Sequence, residues 1–173
     1  MLTLHRARGE AVVVDGDRIA ALGPYDELAA AYRDRARLRS WEGVLSPGRH
    51  EPDAPALLEA AYWPDPREDL GAGPLTGEEL AALGMTGVRW GASARRGLQR
   101  LLAAGTTSVA GPFARPTVRT AVERSGLSVT AGVSALPLPR PLAVSGRADF
   151  AVYDDGGSCL VTCVGGRMVH RAR

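Results

Sequence analysis

The sequence predicts a mixed α/β (α+β) fold, with β-hairpin material at both chain ends around a β/α centre. Three observations carry this: an Asp-Gly turn between two apolar runs near the start, a helix, glycine, strand rhythm that occurs twice in the middle, and a further pair of strands around Gly165-Gly166. The 173 residues, 45% hydrophobic and 23% charged, have the balance of an ordinary globular protein. They suffice for one well-buried core or two small lobes, whereas a complete (β/α)₈ barrel alone takes roughly 200 residues or more.

Residues 10–23 read EAVVVDGDRIAALG, in which Asp15-Gly16-Asp17 separates the apolar runs 11–14 and 18–22. Glycine supplies the positive φ of a tight hairpin turn, so two strands are expected, the second stopped at Pro24. Alanine-rich residues 25–37, with Leu28, Tyr32 and Leu38 at helical separations, predict a helix. Residues 39–45 read as a strand ending at Ser46-Pro47-Gly48, a breaker cluster that delivers His50, Glu51 and Asp53 into a loop. PALLEAAYW (residues 55–63) predicts a short helix stopped at Pro64, followed by a loop over residues 65–74. Thr76 is an N-cap for a helix over 77–83, where Glu78 and Glu79 complement the dipole.

A longer helix is expected over residues 93–104, capped by Ser93, striped by Leu98, Leu101 and Leu102 and stopped by Gly105. Residues 106–110 then form a buried strand, 116–125 a helix closed by Gly126, and 127–133 the next strand. Such β/α crossovers are right-handed. LPLPRP (residues 136–141) reads as a stiff linker, and strands 149–153, 159–164 and 167–170 follow, turned at Asp155-Gly156-Gly157 and Gly165-Gly166.

All 21 basic residues are arginine, a pattern of GC-rich coding more than of chemistry. The net charge of +2 is spread without a basic block, so no nucleic-acid partner is expected; the densest cluster, Arg33, Arg35, Arg37 and Arg39, alternates with other residues as a solvated face. No apolar stretch approaches the roughly 20 residues that cross a bilayer, and MLTLHRARGE carries no signal-peptide apolar region, so a cytoplasmic protein without membrane contact is expected. Cys159 and Cys163 lack CxxC spacing and read as small buried apolar residues.

Three separated pieces resemble the amidohydrolase superfamily: VVVDGDRIAALGP at the start, LLAAGTTSVAG in the middle, and SGRADFAVYD with VTCVGGRMVHR at the end. The middle piece is similar to the helix-to-strand step of imidazolonepropionases, guanine deaminases and aminodeoxyfutalosine deaminases. The resemblance implies a small β-sandwich built from both chain termini, residues 1–45 and 143–173, plus a shortened β/α barrel remnant over 46–142. It also implies two metal-binding histidines five and seven residues after Gly48, where this sequence has Asp53 and Pro55. The remaining family ligands come from later barrel strands, and about forty residues between Thr107 and Asp149 hold only one or two β/α units. With three histidines in the chain, His5, His50 and His170, no catalytic zinc site of three protein ligands is expected.

His50, Glu51 and Asp53 are the candidate catalytic groups, placed where α/β folds hold ligands, with a solvated loop as the plainer reading. In AYWPDPRED, Tyr62 and Trp63 offer an aromatic wall and Arg67 a fork for an acidic ligand; equally, the stretch is a staple in which Arg67 pairs with Asp65 or Asp69. Arg95 and Arg96, with Arg100, are candidate anion contacts near a helix start at Ser93, or a wet helix face. The expectation is an amidohydrolase-like, non-catalytic binding or accessory subunit with no cofactor, existing as a homodimer or on a larger enzyme and holding a small acidic ligand. The alternative is a hydrolase of non-peptide C–N bonds whose site, with zinc or iron, a partner chain completes. The resemblance points to histidine breakdown or menaquinone synthesis as the neighbouring pathway.

Overall fold

The computed structural model describes residues 1–131 and 138–172 and divides the chain into two compact units. The first comprises Met1–Arg49, Leu102–Thr107 and Leu136–Arg173; the second, His50–Leu101 and Ser108–Ala135.

The first unit holds a β-sandwich. Strands β1 (Leu2–Ala7), β2 (Glu10–Asp15), β3 (Arg18–Pro24) and β4 (Ala36–Trp41) form one sheet in the order β3-β2-β1-β4. The Asp-Gly hairpin joins β2 and β3 as expected, with Gly16 at φ +58°. Helix α1 (Tyr25–Tyr32) returns the chain so that β4 runs parallel to β1. Strand β5 (Val44–Pro47) pairs with β9 (Phe150–Tyr153), which continues through β10 (Cys159–Val164) to β11 (Arg167–Arg171), giving the order β11-β10-β9-β5. Both chain ends therefore contribute to one sheet, and this pairing is what makes the unit discontinuous in sequence.

Alternation along the strands decides which side chains meet. Ala7, Val12, Val14 and Ile19 face Ala148, Phe150, Val152, Val161 and Cys163 in one buried cluster. Leu4, Ala11 and Val13 point the other way and are covered by Tyr25, Leu28 and Tyr32 of α1. Because both faces are covered, the run Ala11 to Val14 is buried throughout. The closing motif has a structural job: an Asp149 carboxylate oxygen accepts the Gly165 N–H at 2.7 Å and Arg147 holds the other oxygen at 3.1 Å. That fixes the β10–β11 turn, where Gly166, at φ +70°, lies against the carbonyl of Gly16.

Several expected boundaries are corrected. The helix over 25–37 ends at Tyr32, because from Ala36 the chain is committed to hydrogen-bonding with β1. The strand over 39–45 is two strands, β4 and β5, in different sheets; between them Gly43 passes so close to Tyr153 and Val152 that a side chain has no room. Strand β1 was not expected at all, since its apolar positions are interrupted by His5, a polar side chain that turns out to be buried.

The second unit carries an open three-stranded sheet in the order β6-β7-β8, with β6 at Arg49–Glu51, β7 at Thr106–Gly111 and β8 at Ser128–Ala131. Strands β7 and β8 are parallel and connected by α5 (Pro116–Ser125), ended by Gly126 at φ +79°. Helices α2 (Ala54–Glu59) and α3 (Gly77–Ala81) are shorter than the sequence suggests, and the Thr76 side chain makes no cap bond. Helix α4 (Gly87–Ala103) begins six residues before the expected start at Ser93, and Thr86 Oγ1 accepts the Arg89 N–H at its beginning. The expected ends of the strand over 127–133 and the start of the linker over 136–141 fall outside the described residues.

Candidate functional site

The sequence places His50, Glu51 and Asp53 in a loop; the structure places His50 and Glu51 in β6 instead. His50 is half-buried, and its Nδ1 lies 3.0 Å from the Oγ of Ser108 on β7, so the neighbouring strand, not a helix cap, fixes the ring. Glu51 spends its carboxylate locally, accepting the Asp53 N–H at 2.9 Å. Asp53 is the exposed residue preceding α2, and Pro55 occupies the first turn of that helix. Ser108 was missed in the sequence because a serine within TTSV reads as strand packing.

Zinc or iron is the group the resemblance implies, and the residues present do not fit it. At the two positions where histidines are implied, Pro55 offers no donor atom and Asp53 a single carboxylate on a helix start. Among the described residues, no group of three or more His, Cys, Asp or Glu side chains could hold an ion.

The AYWPDPRED stretch builds a tight cluster. Tyr62 is buried, and its hydroxyl donates to Glu68 Oε2 at 2.6 Å. The same carboxylate accepts the Asp65 N–H at 2.9 Å, while Asp65 accepts the Arg67 N–H at 3.0 Å, a reciprocal cap on the turn Pro66–Glu68. Arg89 reaches Glu68 at 2.8 Å and lies over the Tyr62 ring. Arg96 donates to the Trp63 carbonyl at 2.7 Å, and Trp63 Nε1 to that of Leu57 at 2.9 Å. The hydroxyl of Tyr62, then the Asp65 amide and the Arg89 guanidinium, hold the Glu68 carboxyl below its usual range.

Of the four expected ligand contacts, then, Tyr62 and Arg96 meet in this network, facing protein groups. Arg67 is exposed, and it is its backbone, not its guanidinium, that pairs with Asp65. Glu68, singled out within AYWPDPRED without a role of its own, and Arg89, not singled out at all, carry the charge pairing; they lie 21 residues apart in sequence, which no local pattern reveals. Ser93 is no N-cap: it is buried mid-helix, and its Oγ accepts the Trp63 N–H at 2.9 Å. The anion site expected at a helix start there is withdrawn. Removing the Tyr62 hydroxyl leaves a carboxylate and two guanidinium groups short of a partner, so Tyr62→Phe is expected to lower stability by roughly 1–2 kcal/mol, read by urea unfolding.

Arg95 is placed differently. It is exposed and lines a cleft of about 320 Å³ between α4 and α5, with Gly87, Val88, Gly91, Pro116, Thr117 and Thr120. Just ahead of α5, Glu59 of α2 accepts the N–H groups of Ala114 and Arg115 at 3.0 and 2.6 Å.

Residues 11–34 match the family model of the bacterial imidazolonepropionase-like composite domain. No curated protein matches the chain. Among solved structures, A. niger ochratoxinase is similar at 18% identity and a TM-score of 0.50, over 79% of this chain and 35% of its own. A guanine deaminase from Bradyrhizobium japonicum is 22% identical at a TM-score of 0.42, over 74% of this chain and 29% of its own. An adenosine deaminase from Xanthomonas campestris, with bound zinc, is 19% identical at a TM-score of 0.48, over 84% of this chain and 36% of its own. The chain spans about a third of the length of these structures. At such identities the likeness is one of fold. Residues 11–34 of the sandwich therefore carry the signature of the bacterial imidazolonepropionase-like composite domain, and the fold is similar to that of A. niger ochratoxinase.

Proposed function

We propose that this chain is a non-catalytic binding or accessory subunit on an amidohydrolase-like framework. The observation that supports it is the donor set after Pro47-Gly48: Pro55 has no ligand atom, and Glu51, Tyr62, Glu68, Arg89 and Arg96 are engaged with protein groups. Among the described residues the sheet of the second unit has three strands, too few to close on themselves, and proteins cover such open sheets by pairing with another chain or element. Either a second copy or a larger enzyme provides that cover, and the homodimer is the simpler case. Free thiols at Cys159 and Cys163, the latter pushed up to about 12 by burial, suit a reducing cytoplasm. No helix of the described residues is long and apolar enough to cross a membrane.

A second reading has one observation in its favour: Ser108 fixes His50 at the end of a barrel-type strand, where it could activate water once another chain completes the site. The two readings separate on metal content and turnover. The purified protein is expected to carry substoichiometric zinc and iron, to leave cyclic amides and aminopurines intact, and to sediment as a dimer. Stoichiometric metal, with C–N hydrolysis abolished in His50→Ala, would replace the accessory reading with the enzymatic one.

A further inference from the structure

We propose that the cleft between α4 and α5 binds a small amphipathic oxyanion, a carboxylate or phosphate ester, through the guanidinium of Arg95. This goes beyond the accessory reading and does not depend on it. Helix α4 carries four arginines, and three are spent within the protein: Arg89 on Glu68, Arg96 on the Trp63 carbonyl, and Arg100 on the Ala72 carbonyl at 2.7 Å with its guanidinium 5.0 Å from the Trp63 ring. Arg95 alone of the four has no hydrogen bond, ion pair or ring contact among the described residues, and it lines this cleft.

The opposite wall supplies hydroxyls. Thr117 and Thr120, one turn apart on α5, make no side-chain hydrogen bond among the described residues and face the same space. Gly91 keeps that space open: a Cβ there would stand 3.3 Å from Thr117 Cβ and 3.7 Å from Arg95 Nη1, narrowing the floor between the guanidinium and the hydroxyls. Val88, 81% exposed, and Pro116 supply an apolar rim that a bare ion would leave uncovered, which favours an anion with a short hydrocarbon part. A volume of about 320 Å³ lies at the small end of ligand pockets, the size of a small metabolite. The Glu59 carboxylate, held just ahead of α5 by the N–H groups of Ala114 and Arg115, opposes an anion at that helix end, so recognition falls to the side chains.

Two-dimensional amide NMR of the full chain, titrated separately with inorganic phosphate and with butyrate, tests this. Saturable shifts at Gly91, Thr117 and Thr120 with at least one probe are expected, weakened about tenfold or more in Arg95→Gln. Arg124→Gln, which removes an exposed charge elsewhere on α5, should leave the affinity within about twofold. Which probe saturates identifies the carboxylate or the phosphate class. Linear, non-saturating shifts with both, or equal weakening in Arg95→Gln and Arg124→Gln, would overturn the proposal while leaving metal content and oligomeric state, the tests of the accessory reading, untouched.

Discussion

Between pH 6.5 and pH 4 the folded state is expected to lose about 3 kcal/mol of stability through one side chain, His5. His5 is 3% exposed in the sandwich core, edge-on to Phe150 with ring centroids 5.1 Å apart, and its Nδ1 accepts the Trp41 Nε1 proton at 3.3 Å. That bond requires a neutral ring with its own proton on Nε2. Burial first, and the nearby charge of Arg39 second, lower its pKa from 6.5 to about 4. A folded pKa below the unfolded one means the unfolded chain takes up a proton that the native state refuses. The contribution is therefore complete above pH 6.5, declines as pH falls, and is gone below about pH 4.

Urea unfolding at pH 7, 6 and 5 reads this out against His5→Gln, whose amide can still accept from Trp41 but does not titrate. Between pH 6 and 5 the wild-type curve should fall by about 1 kcal/mol more than the variant's, a window in which carboxylates change little. Parallel curves would show that His5 is protonated in the core at no cost. A loss of about 3 kcal/mol is a large part of the 5–15 kcal/mol that a typical domain possesses, so acid unfolding should begin unusually early.

Gly48→Ala is expected to cost about 3 kcal/mol, the upper end for overpacking a buried site. The strand-ending Pro47-Gly48 brings the backbone against Thr107, and a Cβ on residue 48 would stand 2.6 Å from Thr107 Cβ, with its methyl and hydroxyl closer still. Thr107 is buried and β-branched, so its χ1 has little freedom to turn away. The Arg49 N–H donates to the Gly105 carbonyl at 2.8 Å, and this bond prevents the strand from simply moving off. Thr107→Gly should restore part of the loss in the double variant, giving a coupling of at least about 1 kcal/mol. If thermal unfolding shows Gly48→Ala within about 0.5 kcal/mol of wild type, the close approach is not a real constraint.

Gly48 shows how far the sequence could be read. Pro47-Gly48 marks a strand end by local chemistry alone, and so do Asp15-Gly16 and Gly126, whose positive φ is a requirement of the turn itself. Short continuous apolar runs likewise locate β2, β9 and β10, because a strand covered on both faces writes its burial into neighbouring residues. The hairpin ends and the α5 crossover were legible for the same reason.

What local pattern could not supply was any pairing between distant residues. Glu59 accepting the Ala114 N–H, Glu68 meeting Arg89, and Ser93 holding the Trp63 amide join positions 55, 21 and 30 residues apart. The start of α4 was hidden because Gly87 and Gly91 weaken helix propensity, and β1 was hidden because a buried histidine reads as polar until Trp41 and Phe150 surround it. The sequence alone determined where the chain turns and which short apolar runs become strands, since these depend on residues next to one another. Only the tertiary structure decided which arginines are spent and which one faces a cleft, because a guanidinium's partner is chosen by packing across the fold and not by its neighbours in the chain.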